Sequence, residues 1–258
     1  MTQGIFSTLA RLAEGRASFV VATVIGAGGS TPRLAGAQMV ITADDFEGTI
    51  GGGAFEWEVM RLSRALLEDD NRRVERLDVH LVRDLGMCCG GRMEVFMQKH
   101  TPAPRLRIYG AGHVGTVLAE GAAKAGFEVM IVDGREAWAQ EARFSAEVHV
   151  VDADPVEHLR ASPPEADERV LVVTHDHALD EDAVRHLVGG AASWVGLVGS
   201  RGKWARFRNR LEARGITREA LDRVRCPVGL DIGALTPEEI AISILAELVA
   251  HRRGVDVR

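Results

Sequence analysis

Apolar and polar positions follow two different rhythms along this chain, and the change falls near residue 104. Over the first hundred residues, period-2 and helical stretches are mixed with no strand-helix-strand repeat. Residues 5–14 predict a short helix, 18–25 a largely buried strand, 38–42 a second strand and 54–68 an amphipathic helix. Residues 74–82 and 93–99 predict two more strands around a glycine-rich segment. Together these make a small α+β domain over residues 1–100.

Thr101-Pro102-Ala103-Pro104 sets two prolines in four residues, which marks a linker or a sharp border. Beyond it, short apolar runs at 106–109, 129–132, 147–151, 170–174 and 194–198 alternate with helical stretches. Such alternation predicts a parallel sheet with crossover helices, so residues 104–258 read as a Rossmann-like doubly wound domain. The chain is thus α/β in class: a small N-terminal α+β domain followed by a doubly wound parallel-sheet domain. No repeat of fixed period occurs, and Ser162-Pro163-Pro164 is the one low-complexity hint, read as a surface loop. The last helix announces both ends. Thr236 caps it, Pro237 needs no N–H there, Glu239 completes a Thr-x-x-Glu box, and His251, Arg252, Arg253 and Gly254 suit its C-terminus. Its centre, 240–250, reads as a buried helix.

Composition narrows the function classes. A chain of 258 residues with 46% hydrophobic content buries a sizeable core, and a net charge of −6 disfavours nucleic-acid or anionic-membrane partners. Met1-Thr2-Gln3-Gly4-Ile5 lacks the basic and apolar regions of a signal peptide, and no apolar stretch approaches a membrane span. A cytoplasmic protein with reduced thiols is expected, since three cysteines cannot all pair within one chain. A homodimer is the default assembly.

Gly110-Ala111-Gly112-His113-Val114-Gly115 follows the first strand of the second domain and opens a helix that stops at Gly126; Asp133 ends the next strand, 23 positions after Gly110. Strand, glycine turn, helix and terminal acid are the parts of a dinucleotide fingerprint: glycines let the backbone approach a pyrophosphate, and the acid meets the ribose hydroxyls. A turn kept only for tight helix-to-sheet packing has the same spelling. His113 sits at the helix start, where it hydrogen-bonds a phosphate, lines a partner site or faces solvent. In a 3-2-1-4-5 strand order the first and fourth strands are neighbours, which brings Thr174-His175-Asp176-His177 beside the glycine turn. Ser200 is placed to cap the helix after the fifth strand, with Arg201 and Lys203 as anion contacts.

Leu85-Gly86-Met87-Cys88-Cys89-Gly90-Gly91-Arg92 puts two of three cysteines side by side on a glycine-rich turn. Adjacent cysteines rarely form a disulfide and are poorly spaced for structural zinc. What remains is a thiol pair that approaches a large ligand, coordinates a soft metal of that ligand or passes sulfur, or else a turn where Cys is merely small; Arg92 is near enough to lower a thiol pKa. Gly26-Ala27-Gly28-Gly29-Ser30-Thr31-Pro32-Arg33 and Thr49-Ile50-Gly51-Gly52-Gly53 are further turns able to present N–H groups to an anion, with Arg33 adding charge. They serve equally as hairpin connections.

In order along the chain, Gly29-Ser30-Thr31-Pro32-Arg33, Gly51-Gly52-Gly53, Cys88-Cys89-Gly90-Gly91, the 110–115 turn, Thr174-His175-Asp176, Gly199-Ser200-Arg201 and Gly229-Leu230-Asp231-Ile232-Gly233 ahead of Thr236-Pro237-Glu238-Glu239-Ile240 resemble the XdhC/CoxI family of xanthine dehydrogenase accessory proteins. The resemblance implies a bacterial cytoplasmic chaperone, not a catalyst. It would bind molybdenum cofactor (molybdopterin), keep it during sulfuration by a cysteine desulfurase, and insert it into a xanthine-dehydrogenase-like molybdenum hydroxylase. Cys88 and Cys89 would then touch the molybdenum or its labile sulfur. Gly90, Gly91, Arg33, Gly52, Gly53, Gly110, Gly112, His113, Gly115, Asp133, His175, Ser200 and Arg201 would hold the rest of the cofactor or a separate nucleotide such as NAD(P). The alternative is an NAD(P)-dependent oxidoreductase built on the 110–115 turn; it needs a proton donor, for which Tyr109 is poorly placed and His175 a candidate.

Overall fold

A computed structural model describes residues 2–69 and 71–257; Met1, with which the N-terminal segment read above begins, lies outside them. The chain separates into two compact units, Met1–Pro102 and Ala103–Arg258.

In the first unit the order is α1 (Thr2–Glu14), β1 (Phe19–Gly28), β2 (Gln38–Ile41), β3 (Phe46–Gly48), α2 (Gly53–Glu68), β4 (Val74–His80), α3 (Leu81–Leu85) and β5 (Arg92–His100). The strands form one antiparallel sheet in the order β3-β2-β1-β5-β4. Alternation along the central β1 assigns its two faces. Val20, Ala22 and Val24 join Phe55, Val59 and Leu66 of α2 and Met93, Val95 and Met97 of β5, whereas Phe19 meets Ile5 and Leu12 of α1. Each of the larger side chains, fully buried, contributes about 1.5–3 kcal/mol. A bulge between Val24 and Gly26 shifts the register, and Gly26, Ala27 and Gly28 go on to pair with Glu94, Met93 and Arg92. β1 therefore runs out into the first glycine turn beside the start of β5. The strand predicted over 74–82 stops at His80, because the Asp84 carboxylate accepts the His80 N–H (2.8 Å) and turns the chain into α3, which ends on left-handed Gly86.

The second unit runs β6 (Arg105–Tyr109), α4 (His113–Lys124), β7 (Glu128–Asp133), β8 (Val148–Asp152), α5 (Pro155–Ala161), β9 (Glu168–Val172), α6 (His177–Leu187), β10 (Trp194–Leu197), α7 (Arg201–Ala213), α8 (Arg218–Asp222), β11 (Val224–Arg225) and α9 (Pro237–Arg252). Its sheet is parallel in the order β11-β10-β9-β6-β7-β8, so β6 lies between β7 and β9, as the 3-2-1-4-5 order requires. Leu106, Ile108, Val129 and Ile131 pack under α4 and α9; Tyr109, Val170, Val172, Val195 and Leu197 pack under α6 and α7. Helices on both faces make the sheet doubly wound. Tyr109 is 0% exposed, and its hydroxyl lies 3.1 Å from His158 Nδ1. The Thr236 capping box is formed. The 240–250 segment differs from its sequence reading: Ala241, Ile244 and Leu248 are buried, but Ile242 on the other side is exposed.

Candidate functional site

In the first unit, three glycine turns that are far apart in sequence meet. Gly91 N–H donates to Ser30 O (2.9 Å), and a Cβ on Gly91 would stand 2.5 Å from Ser30 O and 2.7 Å from Gly28 O. A Cβ on Gly51 would stand 2.5 Å from Pro32 Cγ, and one on Gly53 would stand 3.4 Å from Met87 Cε. These contacts tie the cysteine turn to the 28–33 and 51–53 turns. On that fastened turn Cys88 is exposed and Cys89 half-buried against the sheet core. Gly28, Gly52 and Gly90 have open space where a Cβ would project, so a bulky guest can reach the backbone there. Arg33 is half-buried and, among the described residues, makes no hydrogen bond or ion pair, which leaves a cation beside the 51–53 turn. Arg92 is turned to other work: its guanidinium grips the Asp78 carboxylate across β4 and β5.

The 51–53 turn already holds an anion. Glu56, in the first turn of α2, accepts from Thr49 Oγ1 (2.6 Å) and from the N–H groups of Ile50 (3.0 Å) and Gly52 (3.1 Å). The sequence pattern leaves those N–H groups open to a ligand or to a hairpin connection and gives Glu56 no role, although an acid four residues after Gly52 is the available signal. Burial would raise this carboxyl, but the bonds from Thr49, Ile50, Gly52 and Gly51 outweigh it and hold it below its ordinary 4.5. A lowered folded pKa stabilises the fold above the unfolded value and is lost as pH falls through the folded one. Glu56→Gln is therefore expected to cost about 1–2 kcal/mol at pH 7. That gap to wild type, read from urea midpoints, narrows on acidification below pH 4.5; a gap constant with pH would refute the assignment.

In the second unit the glycine turn has the division of labour of a nucleotide loop. Gly110 is left-handed (φ 119°) with its Cα facing Val173 O, and a Cβ on Gly115 would stand 1.9 Å from Gly110 O, so these two serve tight packing. Gly112, the N-cap of α4, has open space where a Cβ would project and supplies no side-chain cap to the first N–H groups of this 12-residue helix. Exposed His113 meets Trp138 edge-on at 5.3 Å, and Trp138 also carries Arg143 (4.6 Å) and Arg135 (5.0 Å) on its faces. Asp133 is buried: it accepts from Ala111 N–H and from Arg135. Burial pushes its carboxyl up, but Arg135 and the Ala111 N–H outweigh that and hold it low. Trp138, Arg135 and Arg143 carry no sequence signal, because their meeting depends on how the loop after β7 folds back.

At the other strand ends, β9 leads to exposed His175, beside the β6 turn as expected. Asp176 is the N-cap of α6, bonding Ala178 N–H (2.5 Å) and Leu179 N–H (3.2 Å). Among the described residues no group of three His, Cys, Asp or Glu side chains could hold a metal ion. Ser200 caps α7 by accepting Lys203 N–H (3.2 Å), and Arg201 is exposed on a half-open cavity of about 1040 Å³ lined also by Gly199, Cys226 and Ser243. Lys203 does not reach for an external anion. Its ammonium is buried on Asp180 (2.5 Å).

An antiparallel α+β unit with an open thiol turn, followed in the same chain by a doubly wound unit with a nucleotide-type glycine loop, defines a two-unit Rossmann protein. The family model for the XdhC Rossmann domain matches residues 106–248, and that for the XdhC and CoxI family matches residues 12–78. The chain belongs to the XdhC and CoxI family. It is 36% identical over 252 residues to the uncharacterized protein YqeB of Escherichia coli (strain K12), covering 95% of this chain and 46% of that protein. It is 31% identical over 163 residues to a probable xanthine dehydrogenase subunit of Bacillus subtilis (strain 168), covering 63% of this chain and 47% of that one. The chain spans about half the length of these relatives. A crystal structure described as a xanthine dehydrogenase from Bacillus halodurans shares the fold, with a TM-score of 0.56 at 21% identity over 97% of this chain and 96% of that one. Among the described residues no helix is long and apolar enough to cross a membrane.

Proposed function

We propose that this chain is a cytoplasmic accessory protein that binds molybdenum cofactor, holds it while a cysteine desulfurase renews its sulfur, and passes it to a xanthine-dehydrogenase-like molybdenum hydroxylase. The observation that carries this reading is the exposed Cys88 beside Cys89 on a turn fastened to two other glycine turns. The donor set fits the guest: soft sulfur suits molybdenum, open backbone at Gly28, Gly52 and Gly90 suits a flat pterin, and Arg33, which has no partner among the described residues, suits its phosphate. When bound, the cofactor supplies the metal and labile sulfur that the client enzyme uses; the chain supplies grip and shelter. Membership of the XdhC and CoxI family, and a relative named as a probable xanthine dehydrogenase component, support the choice of client. With Tyr109 sealed in the core, the rival oxidoreductase is left with exposed His175 as its proton donor.

Protein purified from cells that make molybdenum cofactor, then oxidised, should yield fluorescent pterin. The Cys88→Ala/Cys89→Ala double variant should retain about fivefold less, a loss of about 1 kcal/mol in binding. Its melting temperature should stay near wild type, because neither thiol is deeply buried. No pterin on the wild type, or equal pterin on both proteins, sinks the proposal, and NADH turnover without pterin would favour the oxidoreductase.

A further inference from the structure

Asp133 stands where a doubly wound domain keeps the acid that accepts from a dinucleotide's ribose hydroxyls and repels a phosphate at the 2′ position. Here it is free to do neither. A carboxylate offers about four lone-pair sites. Oδ2 accepts from Ala111 N–H (2.7 Å) and Arg135 Nη2 (2.6 Å), and Oδ1 accepts from Arg135 N–H (3.0 Å) and Arg135 Nε (2.8 Å). The residue is 2% exposed, and the guanidinium against it neutralises its charge. A ribose diol arriving at this edge finds no free acceptor on Asp133.

What it finds is positive charge. Arg135 uses Nε and Nη2 on Asp133, and, with 29% of its side chain exposed, its Nη1 has no partner among the described residues. Arg143 secures the neighbouring platform, donating to Trp138 O (2.6 Å), to Ala111 O (3.4 Å) in the glycine loop and to Thr116 Oγ1 (3.3 Å) in α4. Both guanidinium groups lie over Trp138, with His113 at its edge. Two cations and an aromatic ring thus stand at the rim of the loop whose Gly112 is open to a pyrophosphate.

We infer that the second unit takes a nucleotide carrying a phosphate on its ribose, of the NADP kind, in preference to one with a plain diol, and that Arg135 is the selecting cation. The pterin reading neither requires nor excludes this. Calorimetric titration of the full chain with 2′,5′-ADP and with 5′-AMP isolates the 2′-phosphate, the single group by which the two probes differ. Wild type should bind 2′,5′-ADP at least about tenfold more tightly, with the advantage shrinking as salt is raised. Arg135→Ala removes the cation and releases Asp133, so it should reverse the order and favour 5′-AMP, an inversion that a merely structural arginine would not produce. Arg135→Lys keeps the charge without the fork and should retain a reduced preference. Equal affinities, a wild-type preference for 5′-AMP, or no binding of either probe overturns the inference; because the wild-type ratio decides it, misfolding of a variant does not. Pterin measured on the same protein reports the other proposal separately.

Discussion

Gly91→Ala should strip the protein of pterin and lower the stability of its first unit by about 3 kcal/mol, the upper range for overpacking a tight site. The new methyl would stand 2.5 Å from Ser30 O, 2.7 Å from Gly28 O and 2.6 Å from Thr31 Cγ2. Two of those three atoms are backbone oxygens, so no rotamer change relieves the clash. The cysteine turn must part from the 28–31 turn and lose the Gly91 N–H to Ser30 O bond. In a unit of about a hundred residues this amounts to a fall in melting temperature of roughly 10–20 °C. Gly90→Ala is the contrast, because its methyl would meet nothing within 4 Å. It should leave melting unchanged while reducing retained pterin, since it fills the space through which the guest approaches. Equal melting of Gly91→Ala and wild type would disprove the fastening of the turns, whatever the pterin result.

That pair of neighbouring glycines shows where a sequence pattern stops being informative. The motifs are legible as strings: glycines, paired cysteines and Arg33 all stand out by residue type. Their convergence is not, since it depends on β1 running past its bulge to pair Gly28 with Arg92 and on contacts across dozens of residues. Nor can sequence separate Gly90, with open space where a Cβ would project, from Gly91, which is packed against backbone. Glu56 escapes notice for a related reason. Its carboxylate serves as an internal anion for Ile50 and Gly52, so N–H groups that look available to a ligand are already bonded.

The second unit is more legible because its signals are local. Apolar runs, the 110–115 turn and the Thr236 box each carry their structural meaning within a few residues, and the 3-2-1-4-5 order assumed for a doubly wound sheet is the one the strands adopt. The short β3 and β11 give no periodic signal: β3 has three exposed residues and β11 only two in all. Charged residues mislead where tertiary pairing decides their use. Asp133 looks like a ribose ligand and is saturated by Arg135 and the glycine loop; Lys203 looks like an anion contact and is buried. In both, an opposite charge elsewhere in the chain takes the role that spacing alone would give to a ligand.

Asp180→Leu is expected to destabilise the second unit by about 3–5 kcal/mol, because it would leave a buried ammonium without its counter-ion. Asp180 and Lys203 are 2% and 7% exposed and lie 2.5 Å apart, with Lys203 Nζ also donating to Val198 O (3.0 Å). Asp180 Oδ1 accepts both Thr174 N–H (3.0 Å) and Thr174 Oγ1 (2.7 Å). One carboxylate on α6 therefore binds the ends of β9 and β10 together through α7, at the edge that presents His175 and Arg201. Lys203→Met should cost a similar amount, since it strands the carboxylate instead. The Asp180→Leu/Lys203→Met double variant should recover most of the loss, as apolar replacements of buried pairs often do. It should still fall short of wild type by about 1–3 kcal/mol, the cost of a Thr174 N–H left without an acceptor. Urea midpoints for the four proteins complete the cycle, and single losses under about 1 kcal/mol, or fully additive ones, would mean that the pair does not act as a unit.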